Sequence, residues 1–195
     1  LKKLAAPLLA AAALGIAGCG GNDSEQGAAG EEPTIASGQV LFDRAFIDAM
    51  VPHHQAAIDM AREAKKAGLA QPELVEIADD IIATQQTEID QMLQWREQWF
   101  GSEEPEPQAA ALEVLGLSAA EVGMEHSAAD LATAEDINQA FAGMMLGHHT
   151  GAIRMAELAK EKAGHDEVKT LAADIIAAQQ REIEIIEAYF MGAHG

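Results

Sequence analysis

Apolar residues recur every three to four positions in four long stretches of this chain, the spacing of an amphipathic helix. Over residues 39–66 the set is Val40, Phe42, Phe46, Ile47, Met50, Ala57, Ile58 and Ala61. Pro52 lies inside this stretch, where a missing backbone donor predicts a kink just before the histidines that follow. Gly68 ends the helix. A second helix is predicted from Pro72, a residue suited to a first turn, to Phe100, with Leu74, Ile77, Ile81, Ile82, Ile89, Met92 and Trp95 as its buried stripe. Residues 101–108, which include Pro105 and Pro107, read as a linker. Ser118 and Glu121 have the spacing of a capping box for a short helix. Thr133 is predicted to cap a third long helix reaching about Ala163, and a fourth spans residues 166–191.

The first and third helices are near-copies. Phe46, Met50, His53, His54, Ala57, Ile58, Met60 and Ala61 return in the same order and spacing as Phe141, Met145, His148, His149, Ala152, Ile153, Met155 and Ala156. The copying continues in the second and fourth helices. There Asp80, Ile81, Ile82, Gln85, Glu88 and Ile89 match Asp174, Ile175, Ile176, Gln179, Glu182 and Ile183, with one residue fewer between the blocks. Each repeat is therefore a helical hairpin: a Met/His helix followed by a Gln-x-x-Glu helix. Two amphipathic hairpins bury their faces best together, so the predicted fold class is all-α, a four-helix bundle made of two repeated hairpins.

The repeated motif carries metal-ligand chemistry. With Met50 at zero on a helical wheel, His53 falls at about −60°, His54 at about +40° and Met60 at about −80°, all on one face. Residues three and four apart are neighbours, so Met50 can reach the same ion as His53 or His54. Met145, His148 and His149 form the matching set. Met60 lies two turns beyond His53; it and Met155 either serve a second ion or fill the core. On the partner helices Gln85 and Glu88, like Gln179 and Glu182, share a face inside an Ile-rich stripe. A carboxylate on the free nitrogen of a ligating histidine fixes its tautomer and orientation, so these four are assigned to support the ligands or to join them on occasion. Met92 has Ile186 as its counterpart and reads as core. Met124 and His126 form a weaker, loop-borne candidate, while His165 and His194 read as solvated.

Thioether and imidazole without thiolate point to copper, as Cu(I) by preference, with Cu(II) as the alternative oxidation state. Zinc gains little from methionine, calcium wants an acidic loop that is absent, and a di-iron site wants Glu-x-x-His motifs that the bundle helices lack. A buried His/Glu layer that only fixes helix register remains the open alternative, and so, further off, does a metal- or haem-dependent enzyme. No nucleophile arrangement or cofactor motif supports catalysis, and the expectation is a protein that is not an enzyme.

The formal net charge of −20 changes the partner list. Such a surface repels nucleic acid, whose binding rests on Lys and Arg neutralising phosphates. Lys2 and Lys3, an apolar run over residues 4–17 too short to span a bilayer, and Gly18-Cys19 together look like a bacterial lipoprotein export signal. The expectation is cleavage before Cys19, lipid on that cysteine, a flexible tether over residues 19–38, and the bundle over residues 39–195, with repeats at about 39–100 and 133–191. The protein would then be extracytoplasmic, attached to the cell envelope by lipid alone. Cys19 is the only cysteine, so the bundle has neither a disulfide nor a thiolate ligand.

The paired blocks resemble the bacterial domain-of-unknown-function 305 family (DUF305), whose mark is Phe-x-x-x-Met-x-x-His-His-x-x-Ala-x-x-Met-Ala followed by Ile-x-x-x-Gln-x-x-Glu-Ile. The resemblance covers residues 38–188 and implies a ferritin-like bundle and a periplasmic or secreted copper-binding role with Met and His ligands. Carried over, those are Met50, His53, His54 and Met60, and Met145, His148, His149 and Met155. A copper-transfer protein is the implied partner. The second copy departs from the pattern at Gly147, where the first has Pro52, and at Gly151, where it has Ala56. That predicts a looser second site.

Overall fold

A computed structural model describes residues 35–192. The expected export signal, the Cys19 expected to carry lipid, nearly all of the tether and His194 lie outside the described residues. Six helices are present among them: α1 (Ser37–Lys66), α2 (Pro72–Phe100), α3 (Gln108–Leu115), α4 (Ala128–Leu131), α5 (Ile137–Lys162) and α6 (Asp166–Gly192). No strand occurs among the described residues, and none of these helices is long and apolar enough to cross a membrane.

The four long helices are the expected ones, paired as hairpins α1–α2 and α5–α6. Their inward faces repeat. Leu74, Ile77, Ala78 and Ile81 on α2 correspond to Val168, Leu171, Ala172 and Ile175 on α6, and all eight are buried. Removing each large apolar side chain from water contributes roughly 1.5–3 kcal/mol, which is what holds two helices of this length together. Between the hairpins α1 packs on α5, and both helices bury small residues, among them Ala49, Ala57, Ala142 and Ala152. By contrast, α2 and α6 touch only sparsely and leave a groove between them.

Helix ends correct the sequence reading in three places. α1 begins at Ser37, inside the expected tether, and runs unbroken past Pro52 to Lys66. α5 is capped by Asp136 rather than Thr133. The Asp136 carboxylate accepts the N–H groups of Asn138 and Gln139 at 3.0 Å each, and an anion at a helix N-terminus is doubly favoured. Ser118 and Glu121 do make the reciprocal bonds of a capping box, yet residues 119–125 form turns, because the chain reverses into positive φ at Gly123 (+71°). The short α3 and α4 were not anticipated. α3 lays Ala111, Leu112 and Leu115 against α1. Gln108 on α3 also donates to the Ala49 carbonyl at 3.0 Å, next to the Asp48 carbonyl that Pro52 leaves without its helical donor.

The turns are tied across the repeat boundary. Asn138 on α5 accepts the backbone N–H groups of Ala70 and Gln71, in the α1–α2 turn, at 3.0 Å each. Asp43 on α1 accepts those of Gly164 and His165, in the α5–α6 turn, at 2.8 and 3.0 Å. His165 is not a freely solvated side chain. Its Nδ1 lies 2.6 Å from Asp43, and its ring stacks on Trp99 at 3.7 Å and 7°.

Candidate metal centre

The two Met/His helices face each other at the middle of the bundle. His53, His54, His148 and His149 are all buried, none more than 1% exposed. The histidine pairs repeat the same local geometry: 6.4 Å and 58° between the rings of His53 and His54, 6.5 Å and 60° for His148 and His149. His53 and His148 form the contact between repeats, with ring centroids 3.7 Å apart and planes tilted by 33°. Imidazole lone pairs lie in the ring plane, so two stacked rings cannot both aim at an ion between their faces. Each inner histidine must direct its donor nitrogen sideways, out of the stack.

The outer histidines meet the carboxylates assigned to them. His54 Nε2 lies 2.8 Å from Glu88 Oε2, and His149 Nε2 lies 2.5 Å from Glu182 Oε2. In both, the ring N–H axis misses the oxygen by too much for a hydrogen bond, and the buried nitrogens have no other partner. Gln85 and Gln179 are buried as well, each with an unpartnered Oε1. Orphaned polar atoms in this number are rare in a core and need an occupant or partner. Met50, Met60, Met145 and Met155 are likewise in the core, at most 1% exposed, on the helix turns flanking the histidines; Met92 is buried on α2. Among the described residues, no three His, Asp or Glu side chains gather around one point. A site here depends on thioether sulfur to complete it. Met124 is half-buried, packed against the core, and His126 is exposed.

Electrostatics keep the inner rings neutral. His53 is pushed down to about 3, first by burial and then by repulsion from His54 and His149, against the raising effect of a bond to the Val122 carbonyl. His148 is likewise held well below the ordinary imidazole value, by burial first and then by His53, His149 and His54. Neutral imidazole is the metal-binding form. A groove of about 320 Å³ opens between α2 and α6, lined by Glu76, Asp80, Arg181 and Glu182 among others. Glu182 therefore both touches His149 and borders solvent.

One residue near the histidines was missed by sequence reasoning. Val122, in the turn between α3 and α4, accepts a hydrogen bond from His53 Nε2 at 2.8 Å. Its signal was in the sequence, at Gly151, whose departure from the first repeat makes room for this turn.

The sequence profile described as "Domain of unknown function (DUF305)" matches residues 43–190. The chain belongs to the DUF305 family. The chain is similar to CopM in its Cu(I)-bound form, with 34% identity and a TM-score of 0.65 over 78% of this chain and 98% of that one. CopM in its Cu(II)-bound form gives 35% identity and a TM-score of 0.65 over 77% of this chain and 96% of that one. A DUF305 protein from Streptomyces coelicolor, whose description proposes that it is secreted, shares the fold at 23% identity, with a TM-score of 0.67 over 77% of this chain and 91% of that one. No functionally curated protein matches the chain.

Proposed function

We propose that this DUF305 protein binds copper, Cu(I) by preference, through one Met/His cluster in each repeat, and serves copper sequestration, transfer or resistance. The first cluster comprises Met50, His53, His54 and Met60, the second Met145, His148, His149 and Met155. Glu88 and Glu182 hold or join the outer histidines, and Gln85 and Gln179 lie beside them. The observation that carries this reading is the buried set of four histidines in which seven of the eight ring nitrogens lack a hydrogen-bond partner. A cation taken by both the imidazole nitrogen and the facing carboxylate would supply what the unaligned His54–Glu88 and His149–Glu182 contacts lack. Soft thioether donors and the absence of thiolate favour copper over zinc. The similarity to CopM, solved with Cu(I) and with Cu(II), supports the same choice.

The location we propose is extracytoplasmic, with lipid on Cys19 attaching the bundle to the envelope and a copper-transfer protein as partner. Titration of the bundle with Cu(I) against a chromophoric competitor tests the function. Tight binding is expected in the parent protein, and its loss when His53, His54, His148 and His149 all become Ala. Binding that survives the fourfold substitution would refute the site, and a parent protein that takes up no copper would leave the His/Glu layer as purely structural.

A further inference from the structure

The two repeats differ at one place that bears directly on the histidines. The turn between α3 and α4 occurs once, and it lies against the second repeat's Met/His helix. A Cβ on Gly151 would stand 2.1 Å from the carbonyl carbon and oxygen of Val122. A Cβ on Gly123 would stand 2.5 Å from the Gly147 carbonyl oxygen and 2.8 Å from the His148 α-carbon, and Gly123 also has positive φ. The turn thus rests on bare backbone of α5 at Gly147 and Gly151, and it reaches across to α1, where the Val122 carbonyl meets His53 Nε2 at 2.8 Å. The glycine at 151 thus leaves side-chain space that the turn fills. It is what lets this turn sit close enough to touch the first repeat.

From this contact we infer that the Val122 carbonyl is a positioning group for His53: it fixes the Nε2–H tautomer and leaves Nδ1 as the nitrogen that faces a metal ion. The inference rests on the copper-binding reading and deepens it. A carbonyl oxygen only accepts, so the nitrogen facing it carries the hydrogen and the other nitrogen keeps its lone pair. His53 Nδ1 is buried and has no partner. His148, its counterpart, has no aligned hydrogen bond at either nitrogen; the His53 backbone lies near enough to raise its pKa slightly, but among the described residues no second turn offers it a well-aligned carbonyl. The two sites are consequently unequal: one imidazole is set in advance, the other is free to choose.

Ring-nitrogen NMR of the ¹⁵N-labelled, metal-free protein reads the tautomer directly. The expected spectrum has His53 in the Nε2–H form and His148 without that bias. His53 in the Nδ1–H form would overturn the inference whatever the metal does. Silver(I), a diamagnetic stand-in for Cu(I), should then shift His53 Nδ1 and leave its Nε2–H in place; attachment at Nε2 would overturn it. Gly151→Ala, which must displace Val122, should erase the bias and weaken silver binding at one site by about 10- to 100-fold, the usual effect of losing a group that orients a ligand. Gly147→Ala should change neither, since a Cβ there meets nothing within 4 Å. Wild-type affinity in a Gly151→Ala protein whose tautomer bias is gone would count against the inference. Should Gly151→Ala fail to fold, the parent spectra with and without silver decide it. Silver that perturbs none of the four rings would refute the copper-binding reading, and the metal half of this inference with it, while the metal-free tautomer still reports on the carbonyl.

Discussion

Asp43 and Asn138 hold equivalent positions in the two repeats, and each accepts two backbone N–H groups from the turn of the other repeat. The first helix of each hairpin thus closes the turn of its partner, so neither turn is finished until both hairpins have docked. The two ties differ in depth. Asp43 is fully buried and also takes the His165 ring, whereas Asn138 is partly exposed. Replacing Asp43 by Ala strands three partly buried donors beside an emptied core position and should cost about 3 kcal/mol; Asn138→Ala, whose exposed donors can turn to water, should cost about 1 kcal/mol. Urea denaturation measures both. Equal losses would show that burial does not set the difference.

Asp48 and Arg96 form a second buried tie, from α1 to α2. Arg96 Nε donates to Asp48 Oδ1 at 2.5 Å and Nη1 to the Ser102 carbonyl at 2.6 Å, with both charged residues 2% exposed. Arg44, 3.6 Å from Asp48, is half-exposed and compensates weakly. Arg96→Met should therefore destabilise the fold by about 3–5 kcal/mol, because it leaves a buried carboxylate with little to face. The double variant Asp48→Asn, Arg96→Met should recover part of that loss, which thermal unfolding of the two proteins compares.

Acid should weaken the metal-free protein before its carboxylates titrate. His53 stays neutral in the fold down to about pH 3 and His148 is lowered too, while in the unfolded chain such rings take up protons below about 6.5. The unfolded state then binds more protons, so stability is full above that pH. It should fall as the pH drops through the window from about 6.5 towards 3, by on the order of 1 kcal/mol per pH unit for each histidine. Urea midpoints of metal-free protein at pH 7.5, 6 and 5 check this. An unchanged midpoint would mean that the inner rings are not held neutral.

Glu88→Gln and Glu182→Gln keep size and remove charge. On the copper-binding reading each should lower Cu(I) affinity by about 10- to 100-fold at its own repeat. Competitor titrations of the single and double variants test it. Glu182 also borders the α2–α6 groove, so its variant should slow copper loading more than the Glu88 variant does, measured by stopped-flow uptake.

The long helices were legible because each buries one continuous apolar face, which period alone reveals, and because Pro72 and Gly101 mark the ends of α2 chemically. α3 and α4 were not legible: eight and four residues give too little period to stand out from an Ala-rich connector. The cap of α5 went to Thr133 in the sequence reading because that hydroxyl precedes an apolar run, although Asp136 stands nearer and carries charge. His165 was misread for a different reason. Nothing local announces that Asp43 and Trp99, far away along the chain, converge on the turn. In the candidate site, repetition picked out the residue types and spacing. It could not distinguish the two histidines of a pair, since both fall inside the same wheel sector; the fold buries both and gives the outer one to a carboxylate and the inner one to its twin.

The segment laid across Gly151 has a consequence for the architecture as a whole. A single hairpin, produced alone and left to pair with itself, would bring two inner imidazoles together with no strip of chain to cover either. The halves of this protein are thus not interchangeable parts: the joining piece lies against one of them and reaches a ring of the other, so the internal duplication is not a symmetry of the folded molecule.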